Sequence, residues 1–435
     1  MENEIIENYL QDVCNYIKNK DVHKEVSDEI REHIYEIIDE YTNAGLKENE
    51  AINKAIKRIG SAYECGIKLD KVHKAKPDII SIILALMLAF IGMITMYSIK
   101  KNTIGTDISL LNNISGLLIG SIIAIGIYFF DYRKLKKYSY YMYVAAIIIL
   151  IVSMNINYYY ITQVGALYIG HIYVHLIVTI LLLISLSGVV NIKSINNKTD
   201  LFTVETMGIM PIILYFFAQD ITMSLIYLCG INVVFLTSKI KKSLKITLIY
   251  TELIVMILGL LAITFNSPYR ANLISSIINP SSDPKGIGYF IMKMRTLSFQ
   301  STLFGNETNI ELLKVPSLES NFVFAYIIYN FGIVFGITCI FVMIAFIVRI
   351  LNTLSKVKDT YGRTLTLVIG FIFFMQIVIN ILSNLGVIAV FIGLPFIGHG
   401  SVNSIINISM VGLICSIYRR RSLSNIDSLA INIDK

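Results

Sequence analysis

The sequence predicts an all-α protein: a polytopic membrane helix bundle of about ten transmembrane helices, preceded by a small cytoplasmic helical domain. Three observations predict it. Of 435 residues, 55% are hydrophobic and only 15% charged, a balance too apolar for a soluble domain. Ten apolar runs approach or reach the ~20 residues that cross a bilayer. Lys and Arg gather at every second connection between those runs, as cytoplasmic loops do. The net charge of +7 therefore belongs to topology and gives no reason to expect nucleic acid.

Residues 1–76 form the head. Ile6, Tyr9, Leu10, Val13 and Ile17 mark a first amphipathic helix, and Val26, Ile30, Ile34, Ile37 and Tyr41 one face of a second, Val22–Tyr41. Gly45 breaks the chain. A third helix, Glu48–Ile59, stops at Gly60 as a C′ glycine. Ser61 with Glu64 makes a capping box for a short fourth, and Pro77 closes it. The head has no apolar signal-peptide core. A unit this small leans on the membrane part or a partner.

The expected spans are Ile79–Ile99, Ile114–Phe130, Tyr141–Ile156, His171–Val190, Met207–Phe217, Ile221–Thr237, Ile246–Phe265, Phe322–Val348, Thr364–Gly386 and Ser401–Tyr418. The fifth is short and reads as broken or tilted. Basic residues follow spans two (Arg133, Lys134, Lys136, Lys137), four (Lys193, Lys198), six (Lys239, Lys241, Lys242, Lys245), eight (Arg349, Lys356, Lys358, Arg363) and ten (Arg419, Arg420, Arg421). Both termini are thus expected in the cytoplasm, with a 422–435 tail, and the long polar loop 266–321 outside. The first outer loop, with Lys100 and Lys101, is a minor exception. None of the five cysteines lies in the outer loop, so no disulfide is expected. Trp is absent, leaving 26 Tyr to supply much of the interfacial belt.

Ionisable groups beside or inside spans are functional candidates, because hydrocarbon penalises them. Asp220 sits at the junction of spans five and six, where a solvated turn is the plainer explanation. His171 and His175, four apart, could share a metal; with no third ligand evident, hydrogen bonding inside the bundle is favoured. His399, in Gly398-His399-Gly400, either meets substrate or marks the interface. The outer loop carries Arg270, Asp283, Lys285, Lys293, Arg295, Glu307, Glu311, Lys314 and Glu319. Its basic members suit an anionic, lipid-linked substrate whose diphosphate lies at headgroup level.

Taken in order, several motifs from Phe130 to Arg421 resemble the SEDS family (FtsW/RodA/SpoVE) of bacterial cell-wall glycan polymerases. They are Phe130-Asp131-Tyr132-Arg133, Gln219-Asp220, Arg270, Asn279-Pro280, Asp283-Pro284, Gly286, Gly288-Tyr289 and Leu303-Phe304-Gly305. Lys358-Asp359-Thr360-Tyr361-Gly362-Arg363, Gln376, Asn380, Gly386 and Leu394-Pro395-Phe396-Ile397 complete the set. The head, through Glu25–Tyr41, Asn43-Ala44-Gly45-Leu46 and Arg58-Ile59-Gly60, resembles the permease prefix domain, which looks regulatory or interaction-related.

The resemblance implies a membrane protein of peptidoglycan assembly that polymerises lipid II or another undecaprenyl-linked precursor, with a class B penicillin-binding transpeptidase as partner. It implies an acid as catalytic base in the loop's last run, Pro316-Ser317-Leu318-Glu319-Ser320-Asn321-Phe322, where this chain has Asn321. The family's Pro-Ser-Glu in span four is also missing, near His171 and His175. If chemistry survives, Glu319 is the stand-in base, reaching the space of residue 321 in an extended segment, and Asp283 is the second choice. Gln219, Asp220, Arg270, Lys293 and Arg295 would orient the diphosphate, with a divalent cation as the sole cofactor expected. Two other classes stay open: a non-catalytic paralogue that binds precursors or a partner and signals through the head, and a flippase for such lipids.

Overall fold

The computed structural model describes residues 2–72, 77–102, 109–159, 168–169, 172–192, 198–218, 220–266, 275–307 and 313–421. The chain divides into two units, one of Met1–Pro77 with Lys356–Asp359 and Tyr418–Lys435, the other of Asp78–Ser355 with Thr360–Ile417.

In the first unit, α1 (Glu2–Asn15), α2 (His23–Asn43), α3 (Glu48–Ile59) and α4 (Ala62–Val72) follow the expected order. The 3.6-residue spacing puts Ile6, Leu10 and Val13 against Val26, Ile34 and Ile37 and against Ala51, Ile52 and Ala55, with Cys65 and Leu69 packed onto that core. Each such aliphatic side chain contributes about 1.5–3 kcal/mol on full burial. Gly60 adopts φ 108°, a left-handed turn that glycine accepts without a Cβ penalty. Its carbonyl accepts from the Tyr9 hydroxyl at 3.0 Å. Ser61 Oγ accepts from the Glu64 amide at 3.3 Å, half of the expected capping box. The first helix ends at Asn15, short of Ile17, which is buried from the following turn.

The second unit holds α5 (Ile79–Asn102), α6 (Leu110–Phe129), α7 (Arg133–Tyr159), α8 (Val174–Ile192), α9 (Lys198–Phe217), α10 (Ile221–Thr237) and α11 (Lys242–Asn266). They are followed by α12 (Ile287–Phe299), α13 (Val323–Asn330), α14 (Ile333–Leu354), α15 (Thr360–Asn384) and α16 (Ser401–Arg419). Among the described residues nine helices are long and apolar enough to cross a membrane, and α10 is a shorter apolar one.

The structure departs from the sequence reading in four places. The fifth span is a 20-residue helix, α9; Lys198, Asp200 and Glu205 lower the hydropathy of its first turns without stopping the helix. The fourth begins at Val174 after a two-strand hairpin pairing Tyr168 with Tyr173, and His171 lies outside the described residues. The eighth is two helices: α13 stops at Asn330 and α14 starts at Ile333. Gly332, at φ 97°, makes the break, and a Cβ there would lie 2.5 Å from the Gly305 amide nitrogen. The polar loop contains α12, whose Ile287, Ile291, Met294 and Leu297 are buried.

Small residues bring helices together where the site is built. Gly116 and Gly120 on α6 face α16: a Cβ on Gly116 would sit 2.5 Å from Ser401 Cα, and one on Gly120 3.0 Å from Ile405 Cα. Gly412 answers from α16, within 2.7 Å of Ala124 Cα by the same measure. Such spacing is how helices approach without a hydrophobic driving force in lipid. Asn113 Oδ1 then accepts from the Gly400 amide at 3.1 Å, fixing the start of α16. Asp78 ties α5 to α14 by accepting from Arg349 Nε at 2.9 Å and from Ser81 Oγ at 2.6 Å.

Candidate functional site

The run expected to be extended is a turn. Ser317 takes φ 60°, a left-handed conformation that costs a β-carbon-bearing residue about 1–2 kcal/mol. Its carbonyl accepts from the amides of Ser320 (3.2 Å), Asn321 (2.9 Å) and Phe322 (3.2 Å). The i, i+2 alternation that would put Glu319 on the side of Asn321 belongs to strands, so that argument for Glu319 as a stand-in base does not apply.

Asn321 is 8% exposed and held by its backbone. Its carbonyl accepts from Asn380 Nδ2 at 2.9 Å and from Asn384 Nδ2 at 3.0 Å. Asn384 Oδ1 in turn accepts from the Ala325 amide at 2.8 Å, and Asn380 Nδ2 also donates to the Ile392 carbonyl at 2.6 Å. Two carboxamides one helical turn apart on α15 thus fix the entry to α13 and the segment before α16. A buried carbonyl or amide left without such partners would cost about 1–3 kcal/mol.

Glu319 is half-buried, and its carbonyl accepts from the His399 amide at 2.7 Å. Gly398 lies against the same turn, since a Cβ there would come within 2.9 Å of the Ser320 carbonyl oxygen. The structure therefore brings Glu319, Asn321 and His399 into one layer with Asn380 and Asn384. Helix α12 joins the turn through aromatic rings: Phe290 stacks on Phe322 at 5.7 Å, and Phe391 meets both edge-on at 5.1 and 5.4 Å.

The remaining candidates have other engagements. Asp283 caps the start of α12, its two oxygens accepting from the Gly286 and Ile287 amides at 3.0 Å each. Arg295 Nε donates to the Gly386 carbonyl at 3.0 Å, anchoring α12 to the end of α15. Lys293 lies half-buried on α12. Asp220 is a buried helix cap rather than a solvated turn residue. Its Oδ1 accepts from the Met223 amide at 3.1 Å and its Oδ2 lies 2.7 Å from His175 Nδ1. His175 Nε2 is 3.1 Å from Ser153 Oγ, so hydrogen bonding within the bundle occupies both ring nitrogens. Gln219 and Arg270 lie outside the described residues.

Among the described residues no three His, Cys, Asp or Glu side chains gather as metal ligands would, and the carboxylates of Asp220 and Asp283 are already engaged.

Sequence reasoning missed Asn384, the bend at Ser317 and the helix α12. A signal existed for the first: Asn380 and Asn384 stand four apart in an apolar run, on one helix face.

A helical bundle with glycine-mediated crossings, and a polar turn locked between helix ends, defines a polytopic membrane protein. This chain belongs to the cell cycle protein family of FtsW, RodA and SpoVE, whose profile matches residues 78–423. A probable peptidoglycan glycosyltransferase FtsW of Trichlorobacter lovleyi is 27% identical over 156 residues, 35% of this chain and 41% of that protein. Peptidoglycan glycosyltransferase MrdB of Escherichia coli is 24% identical over 222 residues, 49% of this chain and 59% of that one. The chain thus spans between two fifths and three fifths of these relatives' length. In fold it is similar to a chain solved in a study of a peptidoglycan synthase complex, with a TM-score of 0.63, 18% identity, and 80% of this chain and 98% of that one covered. Rod shape determining protein RodA of Thermus thermophilus gives a TM-score of 0.56 at 15% identity, covering 80% of this chain and 99% of that one.

Proposed function

We propose that the chain is a plasma-membrane protein of bacterial peptidoglycan assembly. On this reading it holds lipid II, or another undecaprenyl-linked precursor, at the turn 316–321 and does not polymerise it unaided. One observation carries the reading: an amide, Asn321, stands where the family resemblance implies an acid, in a backbone frame fixed by Asn380 and Asn384. In polymerisation the acceptor sugar's 4-hydroxyl attacks the donor's anomeric carbon, its proton passes to a base, and undecaprenyl diphosphate leaves. A carboxamide cannot take that proton. General-base help is worth about 10²–10⁴-fold, or roughly 3–5.5 kcal/mol of barrier.

The proposed binding elements are the side chains of Glu319, Asn321 and His399 around the turn, together with the cations of the 266–321 loop, Arg270, Lys293 and Arg295. Any divalent cation would arrive with the diphosphate. The alternate basic connections support cytoplasmic termini. A class B penicillin-binding transpeptidase is the proposed partner, and the permease-prefix-like head is proposed to relay its state to the cytoplasm.

A second reading keeps polymerase activity with Glu319 as base, favoured by its half-buried place two residues before Asn321 in the same turn. Purified protein in lipid discs, given fluorescent lipid II, tests both. The first reading expects saturable binding without glycan strands; strands that vanish in Glu319→Ala would replace it with the second.

A further inference from the structure

The segment that follows α12 and meets the start of α14 presents large apolar side chains where a polar loop would be expected. Phe299, the last residue of α12, is 86% exposed and Phe304 84%, with Leu303 exposed between them. They are not on a loose tip. The Ile333 amide donates to the Thr302 carbonyl at 3.0 Å, the Val334 amide to the Leu303 carbonyl at 3.2 Å, and the Asn306 amide to the Tyr329 carbonyl at 3.0 Å. Gly305, at φ 98°, and Gly332, at φ 97°, meet backbone to backbone. The turn is therefore clamped onto the first residues of α14.

That attachment says what the apolar side chains face. Helix α14 is a 22-residue span whose exposed face carries Val334, Ile337, Phe341 and Ile344, an apolar stripe that in a membrane meets acyl chains. Phe299, Leu303 and Phe304 belong to the turn clamped onto the N-terminal end of that helix, where a membrane span reaches the interface. Water there would meet two phenyl rings and an isobutyl group fixed in place, which is unfavourable.

We propose that Phe299, Leu303 and Phe304 insert into the bilayer as an anchor for α12. The anchor holds the helix that stacks on Phe322 at a fixed height against the lipid headgroups. This inference rests on α14 crossing the membrane and not on the proposed substrate.

The absence of Trp makes the test direct, because Phe299→Trp and Phe304→Trp each create a protein with a single tryptophan, excited at the red edge of its absorption where the tyrosines do not absorb. Each full-length variant is placed, one copy per disc, in phosphatidylcholine–phosphatidylglycerol bilayers with or without brominated acyl chains. Phe341→Trp on α14 is the lipid-exposed reference, and Tyr63→Trp in the head is the exposed reference of the other unit. The proposal expects blue-shifted emission from both loop variants, quenching by brominated chains at least half that of Phe341→Trp, and little quenching by iodide. Red-shifted emission quenched by iodide, as at a water-exposed site, would overturn it. Shielding from both quenchers would overturn it too, since protein would then cover the turn. Each change exchanges one exposed aromatic ring for another, and monodisperse elution confirms the fold before measurement.

Discussion

Asn384 grips both sides of a bend: its Nδ2 donates to the Asn321 carbonyl at 3.0 Å while its Oδ1 accepts from the Ala325 amide at 2.8 Å. One side-chain amide stands in for the backbone pairing that the chain gives up on entering α13. Asn384→Ala should lower stability by about 1–3 kcal/mol, because the buried Ala325 amide loses its side-chain acceptor and the Asn321 carbonyl one of its two side-chain donors. Asn384→Asp should be at least as harmful, since a carboxylate accepts from Ala325 but cannot donate to the Asn321 carbonyl. Thermal melting in detergent reads both, and an unchanged midpoint for Asn384→Asp would show that the donated bond contributes nothing.

Ser317 carries strain that glycine would not. Ser317→Gly should be neutral or raise the melting midpoint, and Ser317→Val should lower it. A β-branched side chain at φ 60° adds to a conformation already costing about 1–2 kcal/mol. The same ranking should appear in precursor binding if the turn is the binding layer. A valine variant as stable as wild type would remove the strain from the account.

His175 and Asp220 form the buried pair of α8 and α10, 0% and 5% exposed at their side chains. Removing either partner deletes a hydrogen bond between two buried groups, a loss of about 1–3 kcal/mol. His175→Ala should therefore unfold well below wild type, while His175→Ala with Asp220→Ala recovers part of the loss. Strict additivity in that double-mutant cycle would deny the coupling.

In the head, burial pushes the Cys65 thiol above its ordinary pKa, with the Tyr9 hydroxyl and Lys68 pulling the other way. The neutral thiol is thus the form the fold favours. Its stabilising contribution is complete below the unfolded thiol's pKa and is lost as pH rises through the folded one. Alkylation needs the thiolate, so around pH 8 Cys65 should react with iodoacetamide several-fold more slowly in the folded chain than in denaturant. Equal rates by peptide mass spectrometry would refute the burial argument.

Much of this was legible in the sequence because period and charge report directly on packing and topology. The spacing of Ile6, Leu10 and Val13 placed the head's core, and α10 begins and ends where its apolar run does. What the residues hid were cases where a polar group serves the backbone. Asp220 and Asp283, chosen for their charge, also cap helices. Asn384 looks incidental and holds the bend. The break at Gly332 is written in a glycine whose demand comes from Gly305, 27 positions away, a contact no local pattern records. The candidate Asn321 was visible; the turn that separates it from strand-like alternation with Glu319 depends on Ser317 and was not.

The measurement that bears most directly on the central claim is glycan-strand formation from lipid II by the purified chain in lipid discs, for wild type, Glu319→Ala and Asn321→Asp. No strands are expected from wild type or Glu319→Ala and strands from Asn321→Asp, a gain of at least about 10²-fold, as a restored general base supplies. Strands from wild type that disappear in Glu319→Ala would contradict the claim.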